Sequence, residues 1–197
     1  MKLVCPAIGN WQKEVILKQL NKAVVFEQFL GKKYVGEKRF SLEGCESVIP
    51  AIESIINAAA DTGVEDVVIG MAHRGRLNVL ANVLGKTYAE IFDEFEGNEP
   101  KKNYGDGDVK YHLGFRSNYE TTNNKKVFLE LMPNPSHLEA VAPVVGGFAR
   151  AKADDLYNND FSTNYINDLN NTFLNFKNVG LNPNPDFSLG NDTTLCD

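Results

Sequence analysis

The stretch Val64–Lys86, VEDVVIGMAHRGRLNVLANVLGK, limits most what this chain can fold into. It opens with Val67-Val68-Ile69, a β-branched run that favours an extended, buried strand, and Gly70 ends that run. After His73-Arg74-Gly75-Arg76 the period changes. Leu77, Leu80, Ala81 and Leu84 recur at i, i+3, i+4 and i+7, one face of a helix, and Gly85 supplies its stop. One histidine and two arginines therefore occupy the turn between a strand's carboxyl end and a helix start. In open α/β sheets ligands bind at that place. A guanidinium there can fork onto phosphate or carboxylate, helped by the N–H groups of the helix start. A plain strand-to-helix loop with solvated arginines fits the same local pattern.

The flanking sequence extends the alternation. Trp11–Leu30 predicts a helix, with Ile16, Leu20 and Val24 on one face, Phe26 and Leu30 four apart, and Gly31 as a stop. Glu46–Ala60 predicts a second, buried through Ile49, Ile52, Ile56 and Ala60, with Pro50 tolerated in the first turn. Thr87–Phe95 adds a short helix, its apolar side Ile91, Phe92 and Phe95. Gly97–Asp108 reads as a polar loop, Val109–Gly114 as a brief extended piece and Ser117–Lys126 as a polar turn. Val127–Met132 reads as a strand, bounded by Lys126 and Pro133. Ser136 and Glu139 have capping-box spacing, and Val141–Ala153 continues as a helix weakened by Pro143 and Gly146-Gly147. Composition changes after Tyr157. Residues 158–191 hold eleven Asn, as many as the whole of residues 1–157, so the tail has the polar character of a poorly packing extension. The expected organisation is a lead-in at 1–10, an α/β body at 11–157 and a divergent tail at 158–197.

Charge and cysteines exclude several classes. A net charge of −6 leaves no global basic footprint for nucleic acid. No apolar run approaches the roughly 20 residues of a membrane span, and Met1–Pro6 lacks the apolar core of a secretory signal. Cys5, Cys45 and Cys196 form no CxxC pair, so neither a disulfide framework nor a zinc ribbon is indicated, and a reducing compartment is the default; the expected location is the cytoplasm, or the mitochondrial matrix in a eukaryote. His73, His112 and His137 each fall at a turn or element end. None is at metal-ligand spacing from another, so an anion contact or a proton relay is the sharper reading and three unrelated histidines the plainer one. Ser136-His137 lacks a nucleophile elbow, and an N-cap role suits Ser136 better.

Four stretches carry a resemblance. GMAHRGRLNVLANVLGK (Gly70–Lys86), GDVKYHLGFRS (Gly107–Ser117), NPSHLEAVAPVV (Asn134–Val145) and FEQFLGKKYVGEKRFSLEG (Phe26–Gly44) closely resemble the E1 component of the 2-oxoglutarate dehydrogenase complex. The likeness covers about residues 11–160, in family order. It implies the first part of a thiamine diphosphate-binding α/β domain, with a mostly parallel sheet and flanking helices. It implies an oxidoreductase that decarboxylates 2-oxoglutarate and passes a succinyl group to the lipoyl arm of an E2 partner, as a homodimer. On the family pattern Arg74, Ser136 and Leu138 would hold the cofactor, His73 and His112 would act in catalysis, and His112 and His137 would contact the dicarboxylate. Magnesium is implied as well, yet the strand whose GDA motif binds it is missing here, so no metal ligand is assigned. Gly105-Asp106-Gly107 with Asn123-Asn124 does not replace it, because the spacing is too short and the GDG follows no apolar strand. The tail beyond Phe161 departs from the family. The expectation is a part of E1 without turnover of its own. The alternatives are a thiamine-dependent decarboxylase or carboligase on the same substrate, and a non-catalytic binding module.

Overall fold

A computed structural model describes residues 8–97, 112–133 and 137–156. The chain divides into two units, Met1–Val141 and Ala142–Asp197. The first holds helices α1 (Asn10–Lys33) and α2 (Val48–Asp61), strand β1 (Asp66–Ile69), helices α3 (Arg76–Asn82) and α4 (Tyr88–Glu96), and strands β2 (Phe115–Glu120) and β3 (Lys126–Leu131). Helix α5 (Leu138–Leu156) begins in this unit and supplies the described part of the second. There it keeps Pro143 inside the helix and carries an Arg150–Asp154 pair at 2.7 Å, one helical turn apart.

The sheet has the order β1-β3-β2. β1 runs parallel to β3, with Val67 opposite Leu129 and Ile69 opposite Leu131. β2 runs antiparallel to β3, with Phe115 opposite Leu131. The described sheet is thus mixed, not mostly parallel, and the cause is local. Thr121–Lys125 forms a tight turn, closed by Thr121 N–H to Lys125 O at 2.8 Å and Asn124 N–H to Thr121 O at 3.0 Å. A turn that short can join only antiparallel neighbours. Asn124 takes the left-handed conformation there, φ 57°. The expected polar turn over Ser117–Lys126 is corrected accordingly: Ser117–Glu120 belong to a strand. Phe115, Ser117 and Tyr119 alternate half-buried with exposed Arg116, Asn118 and Glu120, a period-two pattern that polar residue types concealed.

The helices follow their apolar periods. In α2, Ile49, Ile56 and Ala60 are buried. In α3, Leu77, Val79 and Leu80 are buried, and the chain turns back at Gly85, φ 72°, where Lys86 N–H reaches Leu80 O at 2.8 Å. Gly31 does not stop α1, which runs on to Lys33. Its hydrogen closely faces the Arg39 guanidinium, the nearest nitrogen being 3.1 Å from where a Cβ would sit, so packing rather than helix termination accounts for it. Helix α4 packs on α1 through aromatic pairs, Phe26 on Tyr88 at 5.4 Å and Tyr34 on Phe95 at 4.5 Å between ring centroids. Thr87 caps α4 reciprocally with Glu90. Among the described residues no helix is long and apolar enough to cross a membrane.

Candidate functional site

The mixed sheet has a useful consequence. Because β1 and β3 are parallel, both carboxyl ends lie at one end of the sheet, and because β2 is antiparallel to β3, its start lies there too. Three chain segments therefore meet at that end. Residues 70–75 leave β1 with His73 and Arg74. Residues 112–114 enter β2 with His112. Residues 132 and 133 leave β3, and His137 and Leu138 come later in the sequence. Gly114 permits the approach of the last two. A Cβ at that position would stand 3.0 Å from Leu131 O and 3.1 Å from Pro133 Cδ, tighter than ordinary contact.

Each expected site residue has a definite setting except one. His73 is half-buried against the Phe40 ring, 3.9 Å between centroids, and its Nδ1 is buried with no hydrogen-bond partner among the described residues. A buried ring nitrogen without a partner is costly, which makes it a natural point for a ligand contact. Arg74 is exposed and donates one guanidinium N–H to Ser41 O at 3.1 Å. His112 is half-buried. His137 is exposed, and its carbonyl accepts from Ala140 and Val141 N–H at 3.1 Å, opening α5, where Leu138 is half-buried. Ser136 lies outside the described residues.

The helix start differs from expectation. Gly75 N–H is committed to Phe40 O at 2.8 Å, and Arg76 N–H to His73 O at 3.1 Å. These two donors serve the turn itself and are not offered to an anion. Gly75 adopts φ 72°, and a Cβ there would fall 2.3 Å from Leu42 Cδ1. The Phe40–Leu42 segment thus backs the His73–Gly75 turn directly.

The two arginines part company. Arg74 faces solvent, whereas Arg76 is fully buried. The Arg76 guanidinium donates to Met71 O at 3.4 Å, Leu113 O at 3.1 Å and Met132 O at 2.8 Å. Burial pulls its pKa down to about 10. It is still cationic at neutral pH, and its donors are turned inward. Arg76 is therefore not the second anion fork that the local pattern allowed.

A second buried group was invisible to periodicity. Glu27, on α1, accepts from Leu42 N–H at 3.1 Å and from Asn78 Nδ2 at 3.0 Å, and stands 3.8 Å from the Arg39 guanidinium. Asn78 also donates to Ala23 O at 3.1 Å. This carboxylate ties α1 to α3 and to the loop that backs Gly75. Its only sequence signal was a charge flanked by Phe26 and Leu30 on the buried side of α1.

Among the described residues no group of three or more His, Cys, Asp or Glu side chains could hold a metal ion, and His73, His112 and His137 do not form one. The described body is an α/β segment that presents His73 and Arg74 just beyond the carboxyl end of a parallel strand pair. Residues 18–167 match the model of the dehydrogenase E1 component family, and the chain belongs to that family. It is 54% identical over 147 residues to the multifunctional 2-oxoglutarate metabolism enzyme of Mycolicibacterium vanbaalenii, covering 74% of this chain and 12% of that protein. It is 53% identical over 147 residues to the 2-oxoglutarate dehydrogenase E1/E2 component of Corynebacterium glutamicum, with the same two shares. The chain thus spans about 12% of the length of these curated relatives.

Proposed function

We propose that this chain is part of a 2-oxoglutarate dehydrogenase E1 component, and that the gathered end of its sheet forms one wall of the pocket for thiamine diphosphate and 2-oxoglutarate. The observation that carries the reading is the convergence of three segments on one sheet end, two of which bring His73, Arg74 and His112 there. Arg74 would meet the cofactor diphosphate, since an exposed guanidinium matches phosphate geometry. His73, with its partnerless Nδ1, and His112 would contact the reacting end of the substrate and hold or pass a proton. On the family pattern Ser136 and Leu138 would contact the cofactor, and His112 and His137 the dicarboxylate. Thiamine diphosphate, when bound, supplies the carbanion chemistry of decarboxylation, while the protein supplies orientation and charge. The succinyl group would pass to a lipoyl-bearing E2 partner, and the working assembly would be a homodimer.

The name of the Mycolicibacterium relative, a multifunctional enzyme of 2-oxoglutarate metabolism, favours a second reading in which the same pocket also serves non-oxidative products. Product analysis on a full-length parent separates the two.

Calorimetric titration tests the pocket. The chain should bind thiamine diphosphate saturably, and Arg74→Ala should weaken it by about tenfold, the loss of one charge-assisted contact. Equal affinity in wild type and Arg74→Ala would remove Arg74 from the site. A dye-coupled assay with 2-oxoglutarate should show no turnover by the chain alone, because magnesium ligands and the facing cofactor half are absent from the family motifs it carries. Sustained turnover would refute that.

A further inference from the structure

Arg76 places a buried cation where the exits from β1 and β3 and the entry to β2 meet, and it donates there to three backbone carbonyls. Met71 O belongs to the exit from β1, two residues before His73. Leu113 O belongs to the entry of β2, next to His112. Met132 O belongs to the exit from β3, on the way to His137. These carbonyls come from positions 5, 37 and 56 residues away in the chain. We propose that Arg76 is a positioning residue that fixes the mutual spacing of the Met71–Arg74, His112–Leu113 and Met132–Pro133 segments and so sets the width of the proposed anion pocket. The functional half of this statement rests on the proposed pocket, whereas the clamp itself does not.

The chemistry explains why arginine stands there. A planar guanidinium presents several N–H donors in fixed directions and can serve separate acceptors at once, whereas the ammonium of lysine is a compact head on a flexible stem. The surroundings reinforce the clamp. Gly114 lets the entry to β2 approach Leu131 O, Leu42 closes over Gly75, and Met132 N–H donates to Ile69 O at 2.9 Å. Arg74, one position before the turn's glycine, remains exposed for a ligand. Two arginines separated by one glycine thus divide the work, the first facing the anion and the second holding the walls.

Hydrogen–deuterium exchange on the full 197-residue chain without ligand tests the clamp. In Arg76→Met, peptides over 70–77, 112–118 and 127–133 should exchange about tenfold faster together, while the α2 peptide over 48–61 stays near its wild-type rate. General destabilisation would raise exchange everywhere, and that result overturns the proposal. So does a folded Arg76→Met with no change in the three peptides. Arg76→Lys serves where the methionine variant fails to fold. It keeps the charge, yet should loosen the same three peptides, and wild-type exchange in it overturns the clamp. Titration with inorganic pyrophosphate, followed by histidine-selective carbon-13 labelling, reads the pocket. The chain has three histidines, so each gives one signal. In wild type, all three should shift with a single midpoint. In Arg76→Lys the midpoint should rise by about threefold or more with Arg74 intact. Unchanged midpoints in a variant with loosened peptides would detach the clamp from binding and overturn that half. No response in wild type would defeat the pocket itself, leaving the exchange result to decide the clamp.

Discussion

A methyl group at position 75 has nowhere to go. The backbone is left-handed there, and the new carbon would overlap the Leu42 side chain. Gly75→Ala should therefore cost about 1–3 kcal/mol through strain and forced displacement of Leu42, read by urea denaturation. An unchanged midpoint would show that Leu42 yields freely. Glu27 should be equally sensitive for a different reason. Glu27→Ala strips acceptors from the Leu42 N–H and the Asn78 amide and leaves Arg39 without its nearby carboxylate, a loss of about 3 kcal/mol. Glu53 gives the opposite sign. It is half-buried on α2, accepts from Gln19, and burial raises its pKa, with Lys22 pulling partly the other way. The folded state thus holds that proton more tightly than the unfolded state does. The penalty is absent when both states are protonated and full once the pH exceeds the raised value. Glu53→Gln should stabilise the chain at pH 7 by less than about 1 kcal/mol, partial exposure screening the charge. The gain should shrink as the pH falls below the raised folded value and be gone below the unfolded glutamate pKa of about 4.3. A gain that persists at lower pH would point to packing instead of charge.

At the scale of elements, caps and turns can be tested separately. Thr87→Ala removes a reciprocal cap and should destabilise by about 1 kcal/mol. Asn124→Gly relieves a left-handed non-glycine residue in the hairpin and should be neutral to slightly stabilising, within about 1 kcal/mol. The helices were legible because apolar spacing is a local property: Ile49 and Ile56, or Leu77 and Leu80, announce a face without knowledge of what covers it. β2 was not, because Phe115-Arg116-Ser117-Asn118-Tyr119-Glu120 alternates with polar residues and its partner strand lies beyond a turn. The strand-to-helix turn at His73–Gly75 was legible as a candidate site from its place in the order of elements. The inward role of Arg76 was not, since its acceptors at 113 and 132 come close only after the sheet has formed. Glu27 escaped for the same reason. A carboxylate on an amphipathic helix looks solvated until its three partners from other segments are in place.

For the molecule as a whole, the apolar surface on α1 and α4 stands out. A cavity of about 730 Å³ lies between them, lined by Leu17, Val25, Phe26, Phe29, Tyr88 and Phe92 among others. Leu17 and Val25 are 58% and 62% exposed, so apolar side chains on this face meet solvent. The chain on its own should bind a hydrophobic dye and self-associate as its concentration rises, and Val25→Lys should reduce both. Light scattering that stays flat with concentration would contradict this. At the opposite extreme, the hairpin offers a quiet location. Because β2 and β3 run in opposite directions, their connecting loop at Thr121–Lys125 is carried to the end of the sheet remote from Arg74 and the histidines. A fluorophore or short peptide tag grafted into that bend would ride on the same rigid ladder as the proposed pocket while staying a full strand's length away, a ready-made reporter position.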